Sequence, residues 1–230
     1  MTLISQKKGK HRDTGSIHQP VLVEQVMEFL QPQKLGSYID ATVGLAGHAK
    51  AILDRSSPTG KILAIDQDKE ALKQSIQKLS GFGKRVIFHH GNFSELKTIA
   101  NLNNFESCDG ILADLGVSSL QLSEAKRGFS FQTDGPLDMR MDLRSGLKAN
   151  EIINYYPEDE LASLIYEYGE EPRSRQIARA IVKARPVTST KGLADLVTRV
   201  IQKTKRRRIH PATQTFQAFR IFVNDELNEL

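Results

Sequence analysis

The sequence predicts an α/β fold, a Rossmann-like sheet with a helical recognition domain inserted into it, and three observations carry that expectation. Residues 37–68 read as apolar strand, acid, glycine-containing turn, helix, polar turn, apolar strand and second acid, the outline of a βαβ unit that holds a nucleotide-like cofactor. The strand-then-acid pattern recurs, so that Asp40, Asp66 and Asp114 each lie at the end of an apolar run. Beyond residue 149 helical spacing continues without strand alternation.

Each element follows from local chemistry. After Pro20, Leu22, Val26, Phe29 and Leu30 follow helical spacing until Pro32 ends the helix. Tyr38, Ile39 and Ala41 flank Asp40 near a strand end, and Gly44 and Gly47 permit a tight turn into a helix carrying Ala49, Ile52 and Leu53. Pro58 and Gly60 turn the chain into Ile62, Leu63, Ala64 and Ile65, which lead to Asp66. A helix over 69–79 presents Leu72, Ile76 and Leu79, a third strand spans 85–89, a helix spans 94–102, and a fourth strand over 108–115 brings Asp114 to its carboxyl end. In a sheet of order 3-2-1-4 the three acids line one crevice, because open parallel sheets bind ligands outside those ends.

Residues 116–142 contain no long element yet carry Phe129, Phe131, Leu137, Met139 and Met141, too many large apolar groups for an exposed coil. An ordered loop over or beside the crevice is expected. Ser118, Ser119 and Gln121 are either polar contacts there or caps of the next helix, and the two phenylalanines either pack beneath a base or anchor the loop. Helices follow with Leu161, Leu164, Ile165 and Tyr168, then Ile177, Ile181 and Ala184, then Leu193, Leu196, Val197 and Val200. The second carries Arg175, Arg179 and Lys183 every four residues, a basic stripe suited to a phosphate backbone. From His210 the spacing of Phe216, Phe219, Val223, Leu227 and Leu230 predicts a last helix, and no strand follows to cover the apolar fourth strand. The expectations are C-terminal strands missing from this chain, a stable four-stranded sheet, or a homodimer covering the edge.

Three cofactor readings fit the βαβ unit. A dinucleotide site places GxGxxG at the strand end and a ribose-binding acid about 20 residues on; here only Gly44 and Gly47 are present and Asp40 stands where a diphosphate would be repelled. A cation without phosphate, S-adenosylmethionine, fits better, with Asp40 near its amino or sulfonium side and Asp66 accepting from its ribose. A cofactor-free core is the third reading. The 32 basic and 27 acidic side chains leave a net charge of +5, concentrated at Lys7, Lys8, Lys10 and Arg12 and at Lys203, Lys205, Arg206, Arg207 and Arg208. Such clusters are either RNA contacts or solvated chain ends. The single cysteine, Cys108, excludes an internal disulfide and a thiolate-rich metal cluster, and no metal is expected. With no apolar run of about 18 residues, neither a membrane span nor a secretory signal is expected, and the expected compartment is cytoplasmic.

The segments HQPVL at 18–22, AIDQD at 64–68, HGNF at 90–93, DGILADLGVSS at 109–119, RGFSFQTDGPLDMRMD at 127–142, YGEE at 168–171 and HPATQTFQAFRIFVNDEL at 210–227 together resemble the bacterial small-subunit ribosomal RNA (cytosine-N4)-methyltransferase family. The resemblance covers residues 17–230. It implies a class I methyltransferase sheet, S-adenosylmethionine as methyl donor, and the exocyclic N4 of a cytidine in 16S-type rRNA, free or in an immature small subunit, as acceptor. Matching cofactor positions are Ala46, Gly47, His48, Asp66, Phe93, Asp114 and Gln121. Asp114 is the candidate catalytic acid, and Arg175, Arg179, Lys183, Arg206, Arg207 and Arg208 are candidate RNA contacts. Leu45 stands where the family usually has glycine, and the family continues past residue 230. The implied domains are a flexible basic N-terminus over 1–16, a cofactor core over 17–125, a loop and helical insert for RNA recognition over 126–209, and a helix returning to the core over 210–230. An inactive homologue retaining cofactor or RNA binding, and an RNA-binding protein without methyl transfer, are the alternatives.

Overall fold

The computed structural model describes residues 20–144, 146–201 and 209–228. Helix α1 (Val23–Leu30) precedes strand β1 (Ser37–Asp40), then α2 (Gly47–Arg55), β2 (Lys61–Asp66), α3 (Lys69–Leu79), β3 (Val86–His90), α4 (Leu96–Leu102) and β4 (Gly110–Leu112). All strands are parallel in the order β3-β2-β1-β4. That is the expected order. The hydrophobic alternation of β2 divides the core between two faces: Ile62 and Ala64 join Tyr38, Ile52, Leu53 and Leu72, while Leu63 and Ile65 join Ile39, Ile99 and Phe105.

Two expectations are corrected, the length of the fourth strand and the packing of the last helix. The fourth strand is three residues long, not eight, because the amide of Asp114 leaves the ladder to donate to Thr42 Oγ1 at 2.7 Å. The first helix forms as its spacing predicts and is partly buried: Met27 is buried, Val26 and Leu30 pack partly, and Phe29 is 86% exposed. The last helix meets the sheet side only at its end, where Arg220 and Ile221 face a cavity shared with Thr42 and Phe93. It packs on the helical layer through buried Phe216, Ala218 and Phe219.

That layer comprises α5 (Ser119–Ser123), α6 (Ala149–Tyr155), α7 (Glu158–Gly169), α8 (Ser174–Ala184), α9 (Thr190–Ile201) and α10 (Thr213–Val223), of which α6 to α10 share one apolar core. The segment 116–142 is part of it. Phe129, Leu137, Met139 and Met141 are buried among Ile152, Ile165 and Ile177, and Phe131 packs with its ring centroid 4.4 Å from that of His210 and edge-to-face at 4.9 Å from that of Phe216. Both phenylalanines therefore anchor the loop. Asn224, just past α10, ties it further: its Nδ2 donates to the Met139 carbonyl at 2.8 Å and its Oδ1 accepts from the Met141 amide at 2.6 Å. Among the described residues no helix is long and apolar enough to cross a membrane.

If the loop is structural core, Leu137→Ala, at a site 1% exposed, lowers the unfolding free energy by about 2–5 kcal/mol. Leu147→Ala, 47% exposed in the same region, changes it by less than about 0.5 kcal/mol. Urea denaturation of the two variants checks the contrast.

Candidate functional site

The turn after β1 builds the floor of a crevice. Thr42 donates its amide to Asp40 Oδ1 at 3.2 Å, Val43 to the Ile65 carbonyl at 2.8 Å and Gly44 to Asp66 Oδ2 at 2.7 Å. These bonds bind the turn to the ends of both central strands. Gly44 and Ala46 adopt left-handed φ values of 50° and 59°, whereas Leu45, in the family's glycine place, does not. Ala46 bears a left-handed cost of about 1–2 kcal/mol, partly offset by about 0.8 kcal/mol from burying its methyl group. Gly47 is required for a different reason: a Cβ there would lie 2.5 Å from the Pro20 ring.

Gly47, His48, Asp66, Phe93, Asp114 and Gln121, from segments up to 74 positions apart, all line this crevice of about 320 Å³. Ala46 does not. Its side chain is fully buried in the apolar core beneath the turn, and its amide is spent on the Val43 carbonyl. Among the described residues no lysine or arginine lines the crevice. A diphosphate would find no cation there, whereas a ligand with ammonium and sulfonium charge meets carboxylates. The lining fits S-adenosylmethionine and not a dinucleotide.

Asp40, expected in the crevice wall, is 1% exposed and lines none of it, because its carboxylate lies beneath the floor where it holds the Thr42 amide. Only Asp66 and Asp114 of the three strand-end acids reach the lining. The acids are held under electrostatic tension. Burial pushes the Asp40 carboxyl up to about 7, against the Thr42 amide bond and with added repulsion from Asp66 and Asp114. Asp66 is raised to about 6 by burial, which outweighs the amides of Asp68 and Gly44 that hydrogen-bond its oxygens. His48 is pulled down by burial more than Asp114 raises it. Its Nε2 lies 3.6 Å from Asp114 Oδ2, and its buried Nδ1 has no hydrogen-bond partner. The Asp114 side chain is 56% exposed and faces the open side.

The rim depends on two residues that motif reading overlooked as a pair. Asp68 caps α3 by accepting from the Glu70 amide at 3.0 Å, and its other oxygen accepts from Gln121 Nε2 at 2.9 Å and forms an ion pair with Arg127 Nη1 at 2.8 Å. Arg127 also donates from Nη2 to the carbonyls of Arg140 and Met141, both at 3.0 Å. Asp68 and Arg127 are both buried. Their sequence trace was the second acid of AIDQD and the arginine opening RGFSFQTDGPLDMRMD. Gln121 is a cap as well as a lining residue: its Oε1 accepts from the Ser118 amide and its own amide donates to Ser118 Oγ.

A family model described as the MraW methylase family matches residues 15–230. The chain belongs to that family. Ribosomal RNA small subunit methyltransferase H of Acidobacterium capsulatum is 50% identical over 220 residues, covering 93% of this chain and 73% of that protein. The proteins of the same name from Syntrophotalea carbinolica and Thermomicrobium roseum are 46% and 49% identical, with 93% and 94% of this chain and 69% and 67% of theirs covered. In this family member Arg175, Arg179 and Lys183 are exposed on α8 and line no part of the crevice, and Arg179 pairs with Glu158 at 3.2 Å. Arg206, Arg207 and Arg208 lie outside the described residues.

Two measurements test the electrostatics. Removing one member of the buried pair by Arg127→Met is expected to cost about 3–5 kcal/mol of stability, read by urea unfolding, with adenosylmethionine affinity falling as the rim loosens. Asp40 binds its proton more tightly folded than unfolded, so its stability contribution is full below about pH 4 and is lost as pH rises through about 7. Asp40→Asn should flatten that decline, which for three pH units amounts to at most about 4 kcal/mol. Urea midpoints at intervals from pH 4 to pH 8 reveal it.

Proposed function

We propose that this chain transfers a methyl group from S-adenosylmethionine to the exocyclic N4 of a cytidine in small-subunit rRNA. The observation that carries the reading is the crevice at the strand ends of an MraW methylase family member, lined by Asp66 and Asp114 and, among the described residues, by no lysine or arginine. The names of its relatives support rRNA as the substrate class.

When bound, S-adenosylmethionine supplies an electrophilic methyl group on a sulfonium centre. Asp66 holds the ribose, because each of its oxygens accepts one backbone amide and keeps further lone-pair capacity. Gly47 and the Gly44 turn keep side chains out of the path of the cofactor, and Phe93 offers an apolar face to the adenine. The N4 nitrogen forms its bond to the methyl carbon as the carbon–sulfur bond breaks and its electron pair leaves with sulfur. The nitrogen then has one proton too many, and the Asp114 carboxylate at the open side accepts it. His48 stands beside that carboxylate, its Nε2 3.6 Å from Oδ2, and burial lowers its proton affinity, which favours the neutral imidazole. Arg175, Arg179 and Lys183 serve the RNA backbone from the exposed side of α8.

Labelled adenosylmethionine offered with unmodified small-subunit rRNA or immature small subunits should give N4-methylcytidine at one mapped position. Asp114→Asn should lower kcat about 10²–10⁴-fold and also weaken the cofactor, since it neutralises one of the carboxylates of the lining, whereas Asp66→Asn should weaken the cofactor at least about tenfold with a smaller loss of kcat. A folded chain that binds the cofactor yet labels neither substrate overturns the proposal.

A further inference from the structure

A second cavity, of about 190 Å³, opens beside the crevice between its mouth and the end of α10. Thr42, Gln67, Phe93, Leu115, Gly116 and Met141 line both spaces, so a group in one lies against a group in the other. Two further grooves, on α7 and its neighbours, share no lining residue with the crevice. In-line attack requires the reacting atoms about 3–3.5 Å apart. An acceptor must therefore sit in a space that adjoins the cofactor's, and this cavity meets that condition.

Its walls match one kind of guest. Phe93, Leu115, Met141, Ile221 and Leu227 are apolar, which suits the faces of a flat ring. The charged part of the lining is Arg220 and Glu226, joined by two parallel hydrogen bonds, Nε to Oε1 at 2.7 Å and Nη2 to Oε2 at 2.9 Å. The guanidinium has five N–H donors and spends two on Glu226, leaving three, and each carboxylate oxygen retains acceptor capacity. A donor and an acceptor thus stand side by side in a fixed geometry. Asn224 holds this end of α10 against the loop through Met139 and Met141, so the pair is positioned before any ligand arrives.

We propose that this cavity is the acceptor-base subsite and that the Arg220–Glu226 pair reads the Watson–Crick edge of an extruded cytosine. The inference rests on the N4-methyltransferase reading and specifies its substrate pocket. Cytosine presents a donor at N4 and acceptors at N3 and O2. Glu226 accepts from one N4–H and Arg220 donates to N3 or O2, while the second N4 proton leaves to Asp114 as the nitrogen–carbon bond forms. Uracil places an acceptor at position 4 against the carboxylate and is rejected. The paired carboxylate therefore supplies base specificity, and Asp114 supplies the chemistry.

The test uses the whole chain with three readouts: kcat/KM for methyl transfer to unmodified small-subunit rRNA, adenosylmethionine affinity, and NMR titration with CMP and UMP. CMP should shift the amides of Gly116 and Leu227 more strongly than UMP. Glu226→Gln and Arg220→Lys should each lower kcat/KM about 10- to 100-fold and erode the CMP preference, with cofactor affinity within about twofold of the parent. CMP shifts that fall elsewhere, variants with parental transfer and base preference, or an equal loss of cofactor binding in both variants each overturn the subsite. A parent chain that binds CMP here but methylates no rRNA leaves the subsite standing and rejects the enzymatic reading instead.

Discussion

The buried ion pair between Asp68 and Arg127 joins the two layers of this molecule at the rim of the crevice. Asp68 belongs to the sheet side, as the cap of α3, and Arg127 belongs to the loop whose apolar residues sink into the helical core. Neither charge can be withdrawn without stranding the other in a dry interior. Because Arg127 also binds the carbonyls of Arg140 and Met141, the pair sets the path of the loop that walls the crevice. Gln121 meets the same carboxylate oxygen, so one acid places a lining residue, a helix cap and a loop together.

The crevice itself stores unfavourable electrostatics. Asp40, sealed beneath the floor, and the half-buried Asp66 of the lining lie near one another with proton affinities raised toward neutrality, and Asp114 adds a third carboxylate nearby. A cationic ligand relieves that repulsion, whereas an anionic one aggravates it. Folding therefore prepares a field selective for positive charge. The hydrogen-bonded turn from Thr42 to Gly44 keeps the field in place by locking both central strand ends.

The helical layer supplies shape more than charge at this site. Its exposed basic stripe on α8 alternates with acids of α7, as the Arg179–Glu158 pair illustrates. On the proposed reading such exposed charges would hold an RNA backbone without specifying a base. Specific readout needs fixed polar groups in a confined space, which the end of α10 offers through Arg220 and Glu226. The same helix that closes the apolar core thus carries a polar wall toward the crevice.

Local chemistry in the chain determined the strands and the acids near their ends, since apolar runs and glycine turns are properties of short segments, and the repeated strand–helix alternation of a doubly wound sheet led to their order. It also determined the helical spacing of residues 158–201. Ala46 and the last helix were misjudged for a physical reason: which way a side chain points after a left-handed turn, and which core an amphipathic helix chooses, depend on neighbours distant in sequence. The length of β4 was misjudged for the same reason, because the rival bond from Asp114 to Thr42 spans 72 residues. Only the tertiary structure decided that Asp68, Gln121 and Arg127 form one buried network. A charge can be buried only when its partner arrives with it, and that partner was 59 positions away.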